Sequence, residues 1–170
     1  MNKNLVIERL NSIEDHIEEL SELLIRVVED GASIGFLPPL QLSDAKKYWE
    51  NVLSPDVLLY VAKKNNQIVG SIQLHLSAKP NGRHRAEIAK LMTDTNFRRN
   101  GIGRSLMKKA EEQAIQQGRS LIVLDTREGD PSNLLYTSMG YIEAGKIPNY
   151  AESSDGLFHS TVYYYKMIAD

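Results

Sequence analysis

The chain has 170 residues, 42% hydrophobic and 25% charged, with 20 Lys plus Arg against 22 Asp plus Glu for a formal net charge of −2. That balance excludes a sequence-independent grip on nucleic-acid phosphates, which needs excess cation. The absence of cysteine excludes disulfide scaffolds, thiolate metal sites and cysteine nucleophiles.

No apolar run approaches the roughly 20 residues of a bilayer span, so no membrane partner is expected. The amino-terminal stretch meets acidic residues too early for a signal segment. One cytoplasmic domain over 1–170 is the expectation, at the usual ~100–200 residues per domain.

Leu5-Val6-Ile7 reads as a first strand. Asn11 or Ser12 is placed to cap a helix with Glu14 and Asp15 in its first turn. Ile13, Ile17, Leu20, Leu24, Val27 and Val28 then recur at spacings of three and four as one apolar stripe, which Gly31 ends. The Pro38-Pro39 pair keeps Ala32–Leu40 out of a helix and leaves an apolar loop. Ser43 is placed to cap a second helix running to Leu53. Val57–Lys63 and Gln67–Ser77 read as a strand pair joined by Lys64-Asn65-Asn66. Lys79-Pro80-Asn81-Gly82 turns the chain into a further strand at Ala86–Thr93.

A helix from Gly101 to Gln117 places Ile102, Leu106, Met107, Ala110, Ala114 and Ile115 on its inner face and stops at Gly118. Ser120–Asp125 is nearly all apolar, as in a strand covered on both faces. Asp130-Pro131 opens another helix, Asp as cap and Pro at the first position. Tyr141–Ala144 and Thr161–Tyr165 supply the last strands. Tyr163–Tyr165 is a candidate edge for pairing with a second copy, so monomer and homodimer both stand open. Helices interleaved with a mixed sheet make the class α/β.

The informative stretch runs from Leu91 to Ser105: a strand, a basic turn with two glycines, then a long amphipathic helix. The glycines let the backbone turn tightly, with N–H groups converging and no Cβ in the way. The helix adds unsatisfied N–H groups and a positive dipole end, which makes an anion site suited to a pyrophosphate. Arg98, Arg99 and Arg104 add charge. The Gly-Lys-Ser/Thr of a Walker loop is absent, and the third glycine of a dinucleotide fingerprint is missing. His16, His75, His84 and His159 show no paired ligand spacing, so no metal is expected.

Arg98-Arg99-Asn100-Gly101-Ile102-Gly103 matches an R/Q-x-x-G-x-G/A signature at a strand-to-helix junction, and in this the chain resembles the GNAT-type N-acetyltransferases. Asn133-Leu134-Leu135-Tyr136-Thr137-Ser138-Met139-Gly140-Tyr141 resembles a second region of that family, with Asn three residues before Tyr. At closer range His84-Arg85-Ala86-Glu87, Leu124-Asp125-Thr126 and Gly35-Phe36-Leu37 resemble tabtoxin-resistance acetyltransferases. The resemblance implies a single-domain, mostly antiparallel mixed central sheet, flanked by about four helices and splayed between the fourth and fifth strands.

It also implies acetyl-CoA as acetyl donor. Its pyrophosphate would be held by the backbone of Arg99, Asn100, Gly101, Ile102, Gly103 and Arg104, with Arg98 and Ser105 flanking. Its pantetheine arm would pair with the backbone of Leu91, Met92 and Thr93 and bond to Asn133. Tyr136 carries over as the acid for the leaving thiolate and a cofactor contact, although its apolar setting taken alone is more often that of a core position. Glu87 and Asp125 are the candidate bases; otherwise Asp125 caps a turn and Glu87 joins a surface ion pair. The N–H of Met92 or Thr93 is placed to face the oxygen on which charge develops.

Acceptor selection falls to Ser33–Leu40 and Asn149–His159, where Tyr150, Glu152 and Asp155 could meet a cationic group. Phe36, Leu37, His84 and Glu87 are the acceptor-side candidates; Phe36 and Leu37 could equally cover the sheet, and His84 fits a solvated turn. The acceptor implied is a small-molecule amine, amino-acid-like or toxin-like. Acetylation of a protein N-terminus or lysine, and a non-catalytic acyl-CoA sensor, are the alternatives.

Overall fold

In the computed structural model, which describes residues 4–169, β1 (Leu5–Leu10) leads to α1 (Ile17–Glu29), α2 (Leu42–Glu50), β2 (Val57–Lys64), β3 (Gln67–Leu76) and β4 (Arg85–Thr93). A 3-10 turn at Thr95–Phe97 leads on to α3 (Ile102–Gln116), β5 (Leu121–Arg127), α4 (Ser132–Ser138), β6 (Ile142–Glu152) and β7 (Phe158–Met167). The strands bond in the order β1-β2-β3-β4-β5-β7-β6. Every neighbouring pair is antiparallel except β4–β5. This is the single-domain α/β architecture expected from the pattern, a mixed and mostly antiparallel sheet with four helices among the described residues.

Local chemistry explains the elements. Asn65 and Asn66 both adopt positive φ (51° and 65°) between the paired Lys64 and Gln67. That is the two-residue hairpin geometry whose twist matches the flanking strands. Alternation along β2 sends Leu58, Tyr60 and Ala62 to one face and Leu59 and Val61 to the other. The first face is covered by α3 and α4 through Leu106, Met107, Ala110 and Tyr136. The second is covered by α1 and α2 through Leu20, Leu24, Val28 and Trp49. Gly70 permits the approach of α3, because a Cβ there would sit 2.8 Å from the Met92 carbonyl oxygen and 2.9 Å from Ile102.

Several boundaries differ from the expectation. α1 begins at Ile17 behind His16, because the Ser12 hydroxyl donates to Glu14 (2.7 Å) and a separate turn closes from the His16 N–H to the Ile13 carbonyl (2.9 Å). Ser43 lies inside α2; the extended residue before that helix is Gln41, whose carbonyl accepts from Asp44 and Ala45. Asp130 supplies its carbonyl, not its side chain, to the start of α4, since its carboxylate accepts from Arg127 Nε (3.0 Å).

β6 runs for 11 residues where Tyr141–Ala144 was expected. Its Gly145, Pro148 and Asn149 oppose strand formation, yet pairing with β7 prevails, and proline is tolerated at a sheet edge. The outer strand on this side of the sheet is therefore β6, with β1 at the other edge; Tyr163–Tyr165 lies in β7, which pairs on both sides, so it is no edge.

Candidate active site

β4 and β5 pair only over Arg85–Glu87 with Leu121–Val123. β4 then continues to Thr93 beside β3, and β5 continues to Arg127 beside β7. On the β3 side, Ser71 faces Met92 and Gln73 faces Ala89, so one residue of β3 opposes two of β4. This is a β-bulge, with Lys90 at φ 55°. It sets Ala89 and Lys90 along one cleft, returns Leu91 to the α3 face and buries Met92 under α1.

The Asp94 N–H donates to the Val69 carbonyl (2.8 Å). By alternation the Met92 peptide also turns to β3, while the peptide groups of Leu91 and Thr93 turn to the side β5 has left. Alternation thus turns the Leu91 and Thr93 backbone toward the interval between β4 and β5, while Met92 serves the strand and the core.

At the end of β4, Asp94 accepts from the Asn96 N–H (3.0 Å) and from Arg26 (2.7 Å), which fixes the entry to the glycine turn. Arg99 and Gly101 take positive φ (64° and 74°). Among the described residues the N–H groups of Gly101, Ile102, Gly103 and Arg104 find no acceptor, as befits the first turn of a helix. A Cβ on Gly101 would meet nothing within 4 Å. Unpaired donors at a dipole's positive end, with open space over Gly101, fit a phosphate oxyanion.

The side chains around it are mostly committed elsewhere. Arg98 pairs with Asp30, Arg104 donates to the Ser138 hydroxyl (2.7 Å), and Ile102 is in the core. The Asn100 amide donates to the carbonyls of Phe97 (2.8 Å) and Arg98 (3.2 Å). Ser105 takes the first helical bond, to the Gly101 carbonyl (3.0 Å). What the turn leaves uncommitted is therefore backbone, with Arg99 exposed beside it.

α4 carries Asn133 and Tyr136. The Asn133 amide donates to the carbonyls of Arg127 and Asp130 (2.9 Å each), and its oxygen accepts from the Tyr164 hydroxyl (2.7 Å). Asn133 thus holds the start of α4 onto β7. The Tyr136 ring is 5% exposed between Tyr141 and Tyr164 (centroids 5.9 Å from each). Its hydroxyl makes no hydrogen bond among the described residues, yet is not one of the sealed polar atoms lacking a partner. Both readings of Tyr136 meet here: the ring belongs to the core while the hydroxyl keeps access. Burial first, then Asp125, Asp130 and Tyr164, push its pKa far up, so it stays protonated.

Glu87 and Asp125 stand on the α1 side of the sheet, on either strand of the β4–β5 junction. Burial, then the Asp125 charge, raise the Glu87 pKa, against the pull of Lys90 and Arg85. Asp125 accepts from the Thr161 hydroxyl (2.7 Å), whereas the Glu87 carboxylate has no such partner among the described residues.

The Gly31–Leu40 loop is tied to β5 and β4. Arg127 donates to the Gly31 carbonyl (3.0 Å) and Lys90 Nζ to the Ile34 carbonyl (2.6 Å). Phe36 stacks edge-on against Tyr48 (5.1 Å), and Leu37 is 45% exposed. A cleft of about 450 Å³ opens between α2 and the β3–β4 pair, lined by Tyr48, Asn51, Gln73, His75, Ala89 and Lys90.

His84 stands apart, exposed in the turn ahead of β4, and lines neither this cleft nor the smaller pocket beside Phe36 and Leu37. Tyr150 meets Tyr163 (3.2 Å between hydroxyls), Asp155 accepts from the Leu157 N–H in its own turn, and Glu152 is exposed. Tyr48, Gln73, His75 and Lys90 escaped the sequence reading. Ser71, Gln73 and His75, each two apart along β3, were the available signal of a polar face. No group of three or more His, Cys, Asp or Glu that could hold a metal occurs among the described residues, and no described helix is long and apolar enough to cross a membrane.

A mixed sheet that parts beside a bulged strand, followed by a glycine turn opening a helix, defines a class of acyl-transfer proteins. The chain belongs to the acetyltransferase (GNAT) family, whose profile matches residues 15–141. It is an acetyltransferase. It is similar to an uncharacterized N-acetyltransferase in the hisH-hisA intergenic region of Azospirillum brasilense, 27% identical over 132 residues, covering 74% of this chain and 77% of the relative.

Among solved structures it resembles the ribosomal-protein-alanine N-acetyltransferase of Brucella melitensis (TM-score 0.80, 21% identity, 95% of this chain and 99% of that one). It also resembles yncA of Salmonella typhimurium, solved with its cofactor acetyl-CoA (TM-score 0.81, 14% identity, 99% and 96% covered). At these identities the two structures share the fold.

Proposed function

We propose that the whole of 1–170 works as one acetyl-CoA-dependent N-acetyltransferase whose acceptor is the primary amine of a small molecule, amino-acid-like or toxin-like. The likeness of His84-Arg85-Ala86-Glu87, Leu124-Asp125-Thr126 and Gly35-Phe36-Leu37 to tabtoxin-resistance acetyltransferases supports that acceptor class. The observation that carries the reading is a cleft of about 450 Å³ between α2 and the β3–β4 pair, where Lys90 on the wall shares β4 with Glu87 and interacts with it electrostatically. Its size suits a small ligand.

Acetyl-CoA supplies an acyl group activated as a thioester. The unpaired N–H groups of Gly101–Arg104 hold its diphosphate, and Arg99 adds charge. The Leu91 and Thr93 peptides, free of β3, bond the pantetheine amides as an added strand would. The Thr93 N–H is a donor toward the thioester oxygen.

Glu87, with its raised pKa and unengaged carboxylate, takes the proton of the acceptor ammonium, directly or through one water. Asp125 keeps that pKa up and orients through Thr161. As the C–S bond breaks, Tyr136 yields its proton to the departing sulfur and regains one from the second proton that the acylated nitrogen sheds. Pairing with a second copy, if the chain is a homodimer, would use β6, the exposed outer strand.

The test is calorimetric titration with acetyl-CoA followed by thiol release across a panel of small amines and peptides. Acetyl-CoA-dependent turnover of small amines supports the reading. Turnover confined to peptide N-termini or lysines makes it a protein acetyltransferase, and tight binding with no turnover makes it a sensor.

A further inference from the structure

The cleft between α2 and the β3–β4 pair holds a cation that the acetyl-transfer steps leave unused. Lys90, set in left-handed conformation by the bulge, donates one hydrogen bond, to the Ile34 carbonyl (2.6 Å), and stands 5.8 Å from the centroid of the Phe36 ring. The loop comes so near that a Cβ on Gly35 would sit 2.9 Å from Nζ. An ammonium has three donors, and among the described residues the other two have no acceptor.

No acid lines the cleft beside it. Its neighbours are neutral donors and acceptors. Gln73 Nε2 donates to the Tyr48 hydroxyl (2.8 Å), leaving that hydroxyl's own proton free, and Gln73 Oε1 lies 2.9 Å from His75 Nε2. Burial and Lys90 together hold the His75 pKa below its ordinary value, so His75 is uncharged near neutrality.

The acids lie to one side. Glu87 is the register partner of His75, and Asp125 stands beyond it on β5. Both carboxylates act on Lys90 electrostatically. Along one line of the sheet, therefore, an anionic end adjoins a cationic end, and the cationic end opens into a cleft of ligand size. A half-buried ammonium with unused donors costs free energy unless an anion or water completes it.

We propose that this cleft is a subsite for a carboxylate on the acceptor, which pairs with Lys90 and the Tyr48 hydroxyl while the acceptor amine faces Glu87. The acceptor class is then a zwitterion bearing both groups, such as a free amino acid or a short derivative of one. The inference rests on the small-amine reading above and deepens it.

The test compares acceptors that differ only in the carboxylate: an α-amino acid, its amide and its decarboxylated amine, with acetyl-CoA as donor. The acid should exceed the other two in kcat/KM by about 10- to 100-fold, residing in KM, as a charge-assisted pair would give. Lys90→Met keeps the apolar stem and should bring that ratio close to one, and Lys90→Arg should restore most of it. Equal turnover of acid, amide and amine by the wild-type chain overturns the proposal, as does a ratio that survives in Lys90→Met.

A second readout is calorimetric binding of the matching α-hydroxy acid to the wild-type chain saturated with coenzyme A, with its amide as control. Binding of the acid alone, lost in Lys90→Met, supports the subsite even if every amine fails to turn over, a result that would sink only the small-amine reading. Absence of any such preference in the wild-type chain counts against the subsite without reliance on a variant.

Discussion

Tyr136 combines a tightly packed ring with a hydroxyl that no protein group engages among the described residues. Its ring fills the α3 face between Tyr141 and Tyr164, and its hydroxyl finds no protein acceptor among the described residues. Tyr136→Phe keeps the ring and removes only the proton donor. Turnover should fall about 10²- to 10⁴-fold, the usual weight of a positioned acid, while calorimetric affinity for acetyl-CoA stays nearly unchanged. An unaltered rate removes Tyr136 from the mechanism.

The carboxylates admit a sharper test. Burial and then Asp125 raise the pKa of Glu87, and a base acts only when deprotonated, so kcat/KM should climb with pH through the Glu87 pKa. Asp125→Asn deletes a neighbouring negative charge, which lowers that pKa and moves the acidic limb to lower pH. A pH–rate profile whose limb stays in place denies the coupling. Abolished turnover in Asp125→Asn, with Glu87→Gln still active, would instead make Asp125 the base.

The glycine turn between β4 and α3 offers unpaired backbone donors, and that is why its geometry could be read so directly. Gly101 and Gly103 mark where N–H groups must crowd together, a demand tied to residue type and spacing rather than to distant partners. The arginines were a poorer guide, since Arg98 is drawn off by Asp30 on the far end of α1 and Arg104 by Ser138 of α4. Those partners lie 68 and 34 residues away, beyond any local pattern.

The bulge at Lys90 was invisible for a related reason. Lysine carries no preference for positive φ, and the extra residue is imposed by register against β3. Likewise the start of α1 was misplaced because Ser12 and Asn11 are good caps in isolation, whereas a preceding turn at Ile13–His16 claims that stretch.

Gly101→Val tests the element as a whole. The positive φ makes a β-branched residue cost about 1–2 kcal/mol, but no protein atom lies within 4 Å of the added Cβ. The variant should therefore stay folded with a modestly lower Tm and lose acetyl-CoA binding by calorimetry. Retained affinity would place the diphosphate elsewhere.

At the scale of the molecule, the site exists because one sheet carries two cores. Tyr136 and the glycine helix belong to the α3 and α4 side, and the acceptor wall belongs to the α1 and α2 side. The open interval between β4 and β5 joins them. The layering was legible, since alternation along β2 and the stripes of α1 and α3 each point to a face. The length of β6 was not, because its strand character comes from β7 and not from its own residues.

If the shared strands bind both layers into one cooperative unit, damage to one face must be felt on the other. Trp49, the chain's single tryptophan, is carried by α2, fully buried in the core on the α1 side of the sheet, and reports on that face alone. Leu106 is fully buried on the opposite face. Leu106→Ala should cost about 2–5 kcal/mol through the cavity it leaves, a large part of the ~5–15 kcal/mol that stabilises a typical domain. In urea the Trp49 fluorescence and far-UV circular dichroism transitions should move together to lower denaturant, with unchanged slope. A variant whose circular dichroism midpoint falls while the Trp49 midpoint holds would show that the layers melt separately, and that the sheet does not couple the cofactor side to the acceptor side.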